Sequence, residues 1–275
     1  MSLLDSLDEK YVTNHTSTSS MPRDTALTGI SSLKVLLRAD AAVQMRNKRS
    51  LAISLLLPIW FLILIHLGNG KIGNKLGGPS LEVAICMTVG LVTLGVIGYS
   101  TAVARDREQG VFQRLRVTPA PTWTIMCSRF LVQIVAMLFM AVIVFLVAYL
   151  TDHLALDLIE YIFTLIVVVI GGAVFLSIGQ AVVGLIRSAD TLNSLGRFIL
   201  IPILGLSLFG HSDLLGTTFE YISRWSPGGS FVSLLAGAMN LSSWSSEIWL
   251  AFLACMGYVI VFAGVGIRWF RWTPH

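Results

Sequence analysis

The sequence predicts an all-α, polytopic membrane protein with six transmembrane helices, an N-terminal amphipathic interfacial helix and both termini cytoplasmic. Three observations predict it. Several apolar runs exceed the roughly 18–20 residues that cross a hydrocarbon core of about 30 Å. Only 12% of the 275 residues are charged against 55% hydrophobic, and the mean hydropathy is +0.79. The charges are gathered into short islands between the apolar runs. A transmembrane barrel would show short alternating strands, whereas these runs are continuous.

The net charge of +4 would suggest nucleic acid in a soluble protein. Here the basic residues follow the loops that stay in the cytoplasm, and no nucleic-acid partner is expected. Cys86, Cys127 and Cys255 lie in or beside apolar runs, far apart, and read as small buried hydrophobes rather than a disulfide or metal framework. No short apolar core with a small-residue cleavage site appears in the first fifty residues, so the first span is read as an uncleaved insertion signal.

In chain order, residues 1–30 are polar and Thr/Ser-rich, the composition of a disordered cytoplasmic tail. From Ser31, the residues Leu33, Leu36, Leu37, Ala41 and Met45 recur at spacings of three and four. Lys34, Arg38, Arg46, Lys48 and Arg49 accompany them, the pattern of a basic amphipathic helix at a membrane surface. A positive flank before the first span would give the same charges.

Spans follow at about 51–67, 81–103, 123–150, 158–186, 192–209 and 247–267, so that the transmembrane domain covers 31–275. Pro58 and Pro202 each free a backbone carbonyl inside a span. Gly90, Gly95 and Gly98 allow close helix contact in the second span, and Ala173, Ser177 and Ala181 form a small-residue stripe in the fourth. Between the last two spans, 214–241 reads as two extracellular half-helices broken by Ser226-Pro227-Gly228-Gly229; a plain outer loop is the other reading. With both ends inside, sixteen of the 19 Lys and Arg lie on the cytoplasmic side, and only Lys71, Lys75 and Arg224 lie outside.

An ion-driven pump needs ionisable groups near mid-membrane, where each costs about 2.5–3.5 kcal/mol on insertion scales. None is read there. Gln133 and Gln180 are the long polar side chains well inside the spans; they either bond helices together or touch a substrate path. The five His residues are scattered through tails and loops, and no nucleophile–base pair is apparent. No catalytic, metal or cofactor site is expected on this chain. Energy for uphill transport must then arrive from a partner on the cytoplasmic face.

The docking point for such a partner is the island Arg105–Pro121, which holds Arg105, Asp106, Arg107, Glu108, Arg114 and Arg116 between two apolar runs. Gly110 lets the chain turn, Phe112 and Leu115 make a small apolar ridge, and Pro119 and Pro121 stop a short helix. The stretch Asp106 to Pro119 resembles the signature of ABC-2 type transporter permeases. The matching residues are Asp106, Arg107, Glu108, Gly110, Leu115, Thr118 and Pro119. The likeness extends over about Ser31–Trp272, through the interfacial helix and first span, the six-span layout and the interrupted outer segment.

The resemblance implies an export permease in the cell (inner) membrane that pairs with a separate ABC ATPase subunit and with a second permease subunit, identical or not, among membrane lipids. ATP and Mg would bind the ATPase. The island would form the coupling helix that fits a cleft on it, through Asp106, Arg107, Glu108, Gly110, Phe112, Arg114, Leu115, Arg116 and Pro119. An amphipathic or lipid-like drug or antibiotic is the expected substrate, and a lipid-linked glycan is the alternative within the family. An intramembrane enzyme or scaffold without transport activity is the rival from another class.

Overall fold

The computed structural model describes residues 29–46, 48–67, 78–111, 122–152, 154, 156–186, 188–209 and 216–269. Among them the structure is helical, with no strand. Helix α1 spans Gly29–Arg46 and α2 spans Lys48–Leu67. Next, α3 (Pro79–Val92), a π-helical segment (Thr93–Gly98) and α4 (Tyr99–Glu108) run on as one rod. Then come α5 (Thr122–Asp152), α6 (Leu158–Leu185), α7 (Ala189–Phe209), α8 (Thr217–Arg224), α9 (Pro227–Ala238) and α10 (Ser246–Trp269). The expected N-terminal tail lies outside the described residues apart from Gly29 and Ile30, which begin α1.

Four stretches are long and apolar enough to cross a membrane: Pro79–Glu108, Thr124–Thr151, Leu158–Leu185 and Ser246–Trp269; Ala52–Leu67 is a shorter apolar helix. Among the described residues these make the chain a multi-pass membrane protein. The rod Pro79–Glu108 has 30 residues and is about 45 Å long at 1.5 Å per residue, more than a hydrocarbon core, so its polar end projects beyond that core. On α5 the exposed side chains Leu131, Val135, Phe139, Val142 and Leu146 repeat every three or four residues, the stripe of a helix that faces lipid.

Helix α6 is central. It packs against α10, α5, the π segment, α9, α4 and α3. A Cβ built on Gly179 would stand 2.3 Å from the carbonyl oxygen of Gly95, so the absence of a side chain is what lets α6 lie against the π segment. One turn earlier on the same face, α6 carries Phe175, whose Cβ also lies against Gly95 and whose ring meets Phe231 of α9 edge-on at 5.5 Å. Both phenylalanines are fully buried.

The segment 217–238 is two helices rather than a plain loop: α8 is largely exposed, and α9 is buried in the bundle. Ser226 caps α9 by accepting from the Gly229 N–H at 3.0 Å, and Pro227 occupies the first helical turn. Ser223 Oγ donates to Leu206 O at 2.6 Å and ties α8 to α7. At its start α6 is held by Glu160, which accepts from the Asp157 N–H at 3.1 Å and from the Leu241 N–H at 3.3 Å.

Gly179→Ala should force α6 away from the π segment and cost roughly 1–3 kcal/mol, the usual range for overpacking. Gly257→Ala, inside α10 where the added atom meets nothing within 4 Å, should hold stability or raise it by up to about 1 kcal/mol. Apparent Tm in detergent compares the two; equal values for both variants would show that the Gly95–Gly179 contact is not restrictive.

Candidate functional site

Hydropathy ends the second span near Val103, but the helix continues five residues further into the island. Helices stop where the backbone is turned or unsatisfied, and here the stop is Gly110 at φ 68, in the left-handed region that glycine favours. The Gln109 N–H donates to Arg105 O at 2.9 Å and the Gly110 N–H to Arg107 O at 3.1 Å, closing the helix end. The expected solvated loop therefore begins only after Glu108. Phe112, Arg114, Leu115, Arg116 and Pro119 lie outside the described residues.

The four charged residues at the end of α4 divide by face. Arg105 and Glu108 are exposed. Arg107 points inward and is only 6% exposed. Its guanidinium donates from Nη1 to Val183 O at 3.2 Å and from Nη2 to Ile186 O at 2.8 Å. These carbonyls stand at the C-terminus of α6, where the last turn has no intrahelical donors and the helix dipole favours a cation. A basic island residue expected to face water is instead a cap on the central helix. The chain folds this way because a buried carbonyl and a buried cation each cost more alone than together.

Asp106 is on the neighbouring face and pairs with Arg129 of α5 at 2.6 Å, with side-chain exposures of 28% and 12%. One residue before Arg129, Ser128 Oγ donates to Asp40 Oδ2 on α1. Gln44, one turn further along α1, donates from Nε2 to Gln133 Oε1 at 3.3 Å. The interfacial helix thus turns a polar edge, Asp40 and Gln44, toward α5, alongside the partly buried Leu33, Leu36, Leu37 and Ala41. Met45, assigned to the apolar face from its spacing, is 71% exposed. Arg38 and Arg46 are exposed too; the backbone of Lys48 and Arg49 opens α2.

Gln133 and Gln180 both bond helices together. Gln133 Nε2 donates to Leu94 O at 3.0 Å, while the Tyr99 N–H, five residues on, points at the same carbonyl across the wide turn. The Tyr99 hydroxyl donates to Gln180 Oε1 at 2.5 Å, and its ring stacks on Phe130 at 5.3 Å. The two glutamines therefore flank the π segment from α5 and α6.

Sequence reasoning missed the inward turn of Arg107, the Asp40 and Gln44 edge, and Glu82, a buried carboxylate in the first turn of α3. The available signal was helical phase. Extending the period of the second span past Val103 puts Arg107 on the face of the buried Val103 and Ala104.

The arrangement is one of mechanical linkage. The end of α4 is tied to α6 through Arg107 and to α5 through Asp106, and α5 is tied to α1 through Ser128 and Gln133. The family model described as "ABC-2 type transporter" matches residues 31–240. The chain belongs to the ABC-2 type transporter family. As an ABC-2 permease it is the transmembrane component of an ABC transporter. It is also similar to "Putative transport permease YvfS" of Bacillus subtilis (strain 168), at 23% identity over 225 residues, covering 79% of this chain and 88% of that protein.

Two outcomes test the linkage. Arg107→Met leaves Val183 O and Ile186 O without their charged donor and should destabilise the permease by roughly 1.5–3 kcal/mol, with Arg107→Lys recovering part of the loss. An unchanged apparent Tm for Arg107→Met would remove the cap from the account. The second outcome concerns Asp40, whose carboxyl is pushed above its ordinary 3.8 by burial first; the Ser128 hydrogen bond and Arg129 oppose the shift, and Asp106 adds to it. A raised carboxyl favours the protonated form in the folded state. Its stabilising contribution is complete below the ordinary value and is lost as pH rises through the shifted one. Asp40→Asn keeps an acceptor for Ser128 without the charge. Its Tm relative to the wild type should therefore rise as pH climbs from about 4 to neutrality. A pH-independent difference would contradict this sign.

Proposed function

We propose that this permease is the membrane subunit of an ATP-driven exporter of an amphipathic or lipid-like substrate of the drug or antibiotic class, with six spans and both termini cytoplasmic. A separate ABC ATPase supplies the energy, and a second permease subunit completes the path. The observation that carries the reading is the double tie at the start of the island, where Asp106 and Arg107 bind α4 to two other helices just before the chain leaves the bundle.

A coupling element needs two properties. One part must be accessible to the partner, and the next must be rigidly joined to the spans. Exposed Glu108 and the turn at Gly110 meet the first requirement, and Asp106 and Arg107 meet the second. The loop that follows Gly110 fits a cleft on the ATPase, and ATP binding closes two ATPase subunits. The movement enters α4, passes to α6 through its capped end and to α5 through the Asp106–Arg129 pair, and reaches α1 through Ser128. Relative displacement of these helices then opens a route between two permease subunits. The apolar character of the exposed faces supports an amphipathic cargo over a polar solute.

The test is the double variant Glu108→Arg with Phe112→Ala, assayed in membranes that contain the ATPase. Export should be abolished and co-purification of the ATPase reduced, with membrane insertion intact because Glu108 is exposed. Export at the wild-type rate would sink the coupling role. Failure of any ATPase to co-purify with the unaltered chain would sink the exporter reading.

A further inference from the structure

At the end of the bundle opposite the island, a cavity of about 370 Å³ opens where the start of α3, α8, α9 and the start of α10 meet. A second cavity of about 390 Å³ shares Leu81, Ser233, Ala236 and Ile248 with it, so the two are parts of one groove. That volume is the size of an ordinary small-molecule site, roughly 300–1,000 Å³. The inner wall is apolar, formed by Leu81, Ile248, Ala251 and Ala254.

The mouth has a different chemistry. Arg224 is bracketed by two carboxylates, Glu220 at 2.8 Å and Glu247 at 3.0 Å. One cation between two anions leaves a net negative charge at the rim, and the guanidinium is already committed to carboxylate oxygens. The Glu247 side chain is 70% exposed. Tyr221 and Trp225 also line the cavity and are 66% and 46% exposed, large aromatic surfaces beside a carboxylate. Aromatic faces attract a soft cation within about 6 Å, and a nearby carboxylate adds to the attraction. An anionic head would meet the opposite field.

We propose that this groove binds a monocationic amphiphile, with its ammonium or phosphonium head at Glu247, Tyr221 and Trp225 and its apolar body along Ile248 and Ala251. The inference concerns binding at equilibrium. It goes beyond the exporter reading and stands or falls separately from it.

The probe pair is tetraphenylphosphonium and tetraphenylborate, which share a shape and differ in the sign of the charge. The full-length permease, reconstituted without nucleotide in discs of neutral lipid, is titrated with radiolabelled tetraphenylphosphonium, and empty discs are subtracted. Saturable binding is expected, with tetraphenylborate a poor competitor. Glu247→Gln should weaken it about fivefold or more. Tyr221→Ala should weaken it about two- to fivefold. Tyr221 is exposed and its side chain holds no hydrogen bond among the described residues, so its variant serves if loss of the Arg224–Glu247 pair disturbs folding. Tetraphenylborate competing as well as the cation would overturn the proposal in favour of a non-selective or anion site. Saturable cation binding unchanged in both variants would overturn it in favour of a site elsewhere on the permease, and no saturable binding above empty discs would overturn it in favour of simple partition into lipid. Because no nucleotide or ATPase is present, none of these results bears on coupling, and a failed export assay leaves this one intact.

Discussion

The structure depends on the place where α6 and the rod Pro79–Glu108 touch backbone to backbone. At Gly179 and Gly95 no side chain intervenes. In a membrane, helices gain little by hiding apolar surface from one another, because lipid is equally apolar. Close packing and interhelical hydrogen bonds must supply the specificity. Both are concentrated here. The wide π turn presents Leu94 O to Gln133, and Tyr99 reaches Gln180 one turn later. Each bond satisfies a polar group that would otherwise face hydrocarbon, where it costs several kcal/mol.

That crossing fixes what happens at the charged end. With the rod held against α6, the phase of α4 is determined, and Arg107 arrives over the last turn of α6 while Asp106 faces Arg129. The two ties differ in worth. Asp106–Arg129 is part-exposed and in reach of water, and pairs of that kind contribute about 0–1 kcal/mol. Arg107 is buried and bonds two carbonyls, so its removal costs more than any surface pair. Arg107 therefore sets the position of α4 against α6, and Asp106 adjusts the register of α5 beside it.

Hydropathy made the long helices legible, because a run of apolar residues in a membrane protein has few alternatives to a helix. The span expected at 158–186 is α6 within a residue, and 123–150 and 247–267 lie inside α5 and α10. Hydropathy failed where helix and hydrocarbon part company. The rod runs through Arg105–Glu108 because hydrogen bonds, not lipid, end it at Gly110. The polar inward edges of α1 and α4 were missed for a related reason. Apolar spacing marks a buried face only when burial is apolar, and here Asp40, Gln44 and Arg107 are turned inward by partners far away in sequence. The π segment had no sequence signal beyond Gly95 and Gly98. The burial of 227–238 followed from tight approaches that composition does not report, such as Gly228 and Gly229 against Ser207 and Ser223.

The rod also joins the two ends of the molecule. Leu81, near its start, forms part of the wall of the far cavity; Asp106 and Arg107, near its end, carry the ties to α5 and α6. The π turn keeps the rod hydrogen-bonded from α3 into α4, the Tyr99 N–H donating to Leu94 O. Gly95 lies close to the middle of the stretch 79–108. The Gly95–Gly179 contact, whose lack of side chains first looks like a packing detail, thus holds the middle of the rod against α6, between the groove wall at one end and the charged ties at the other.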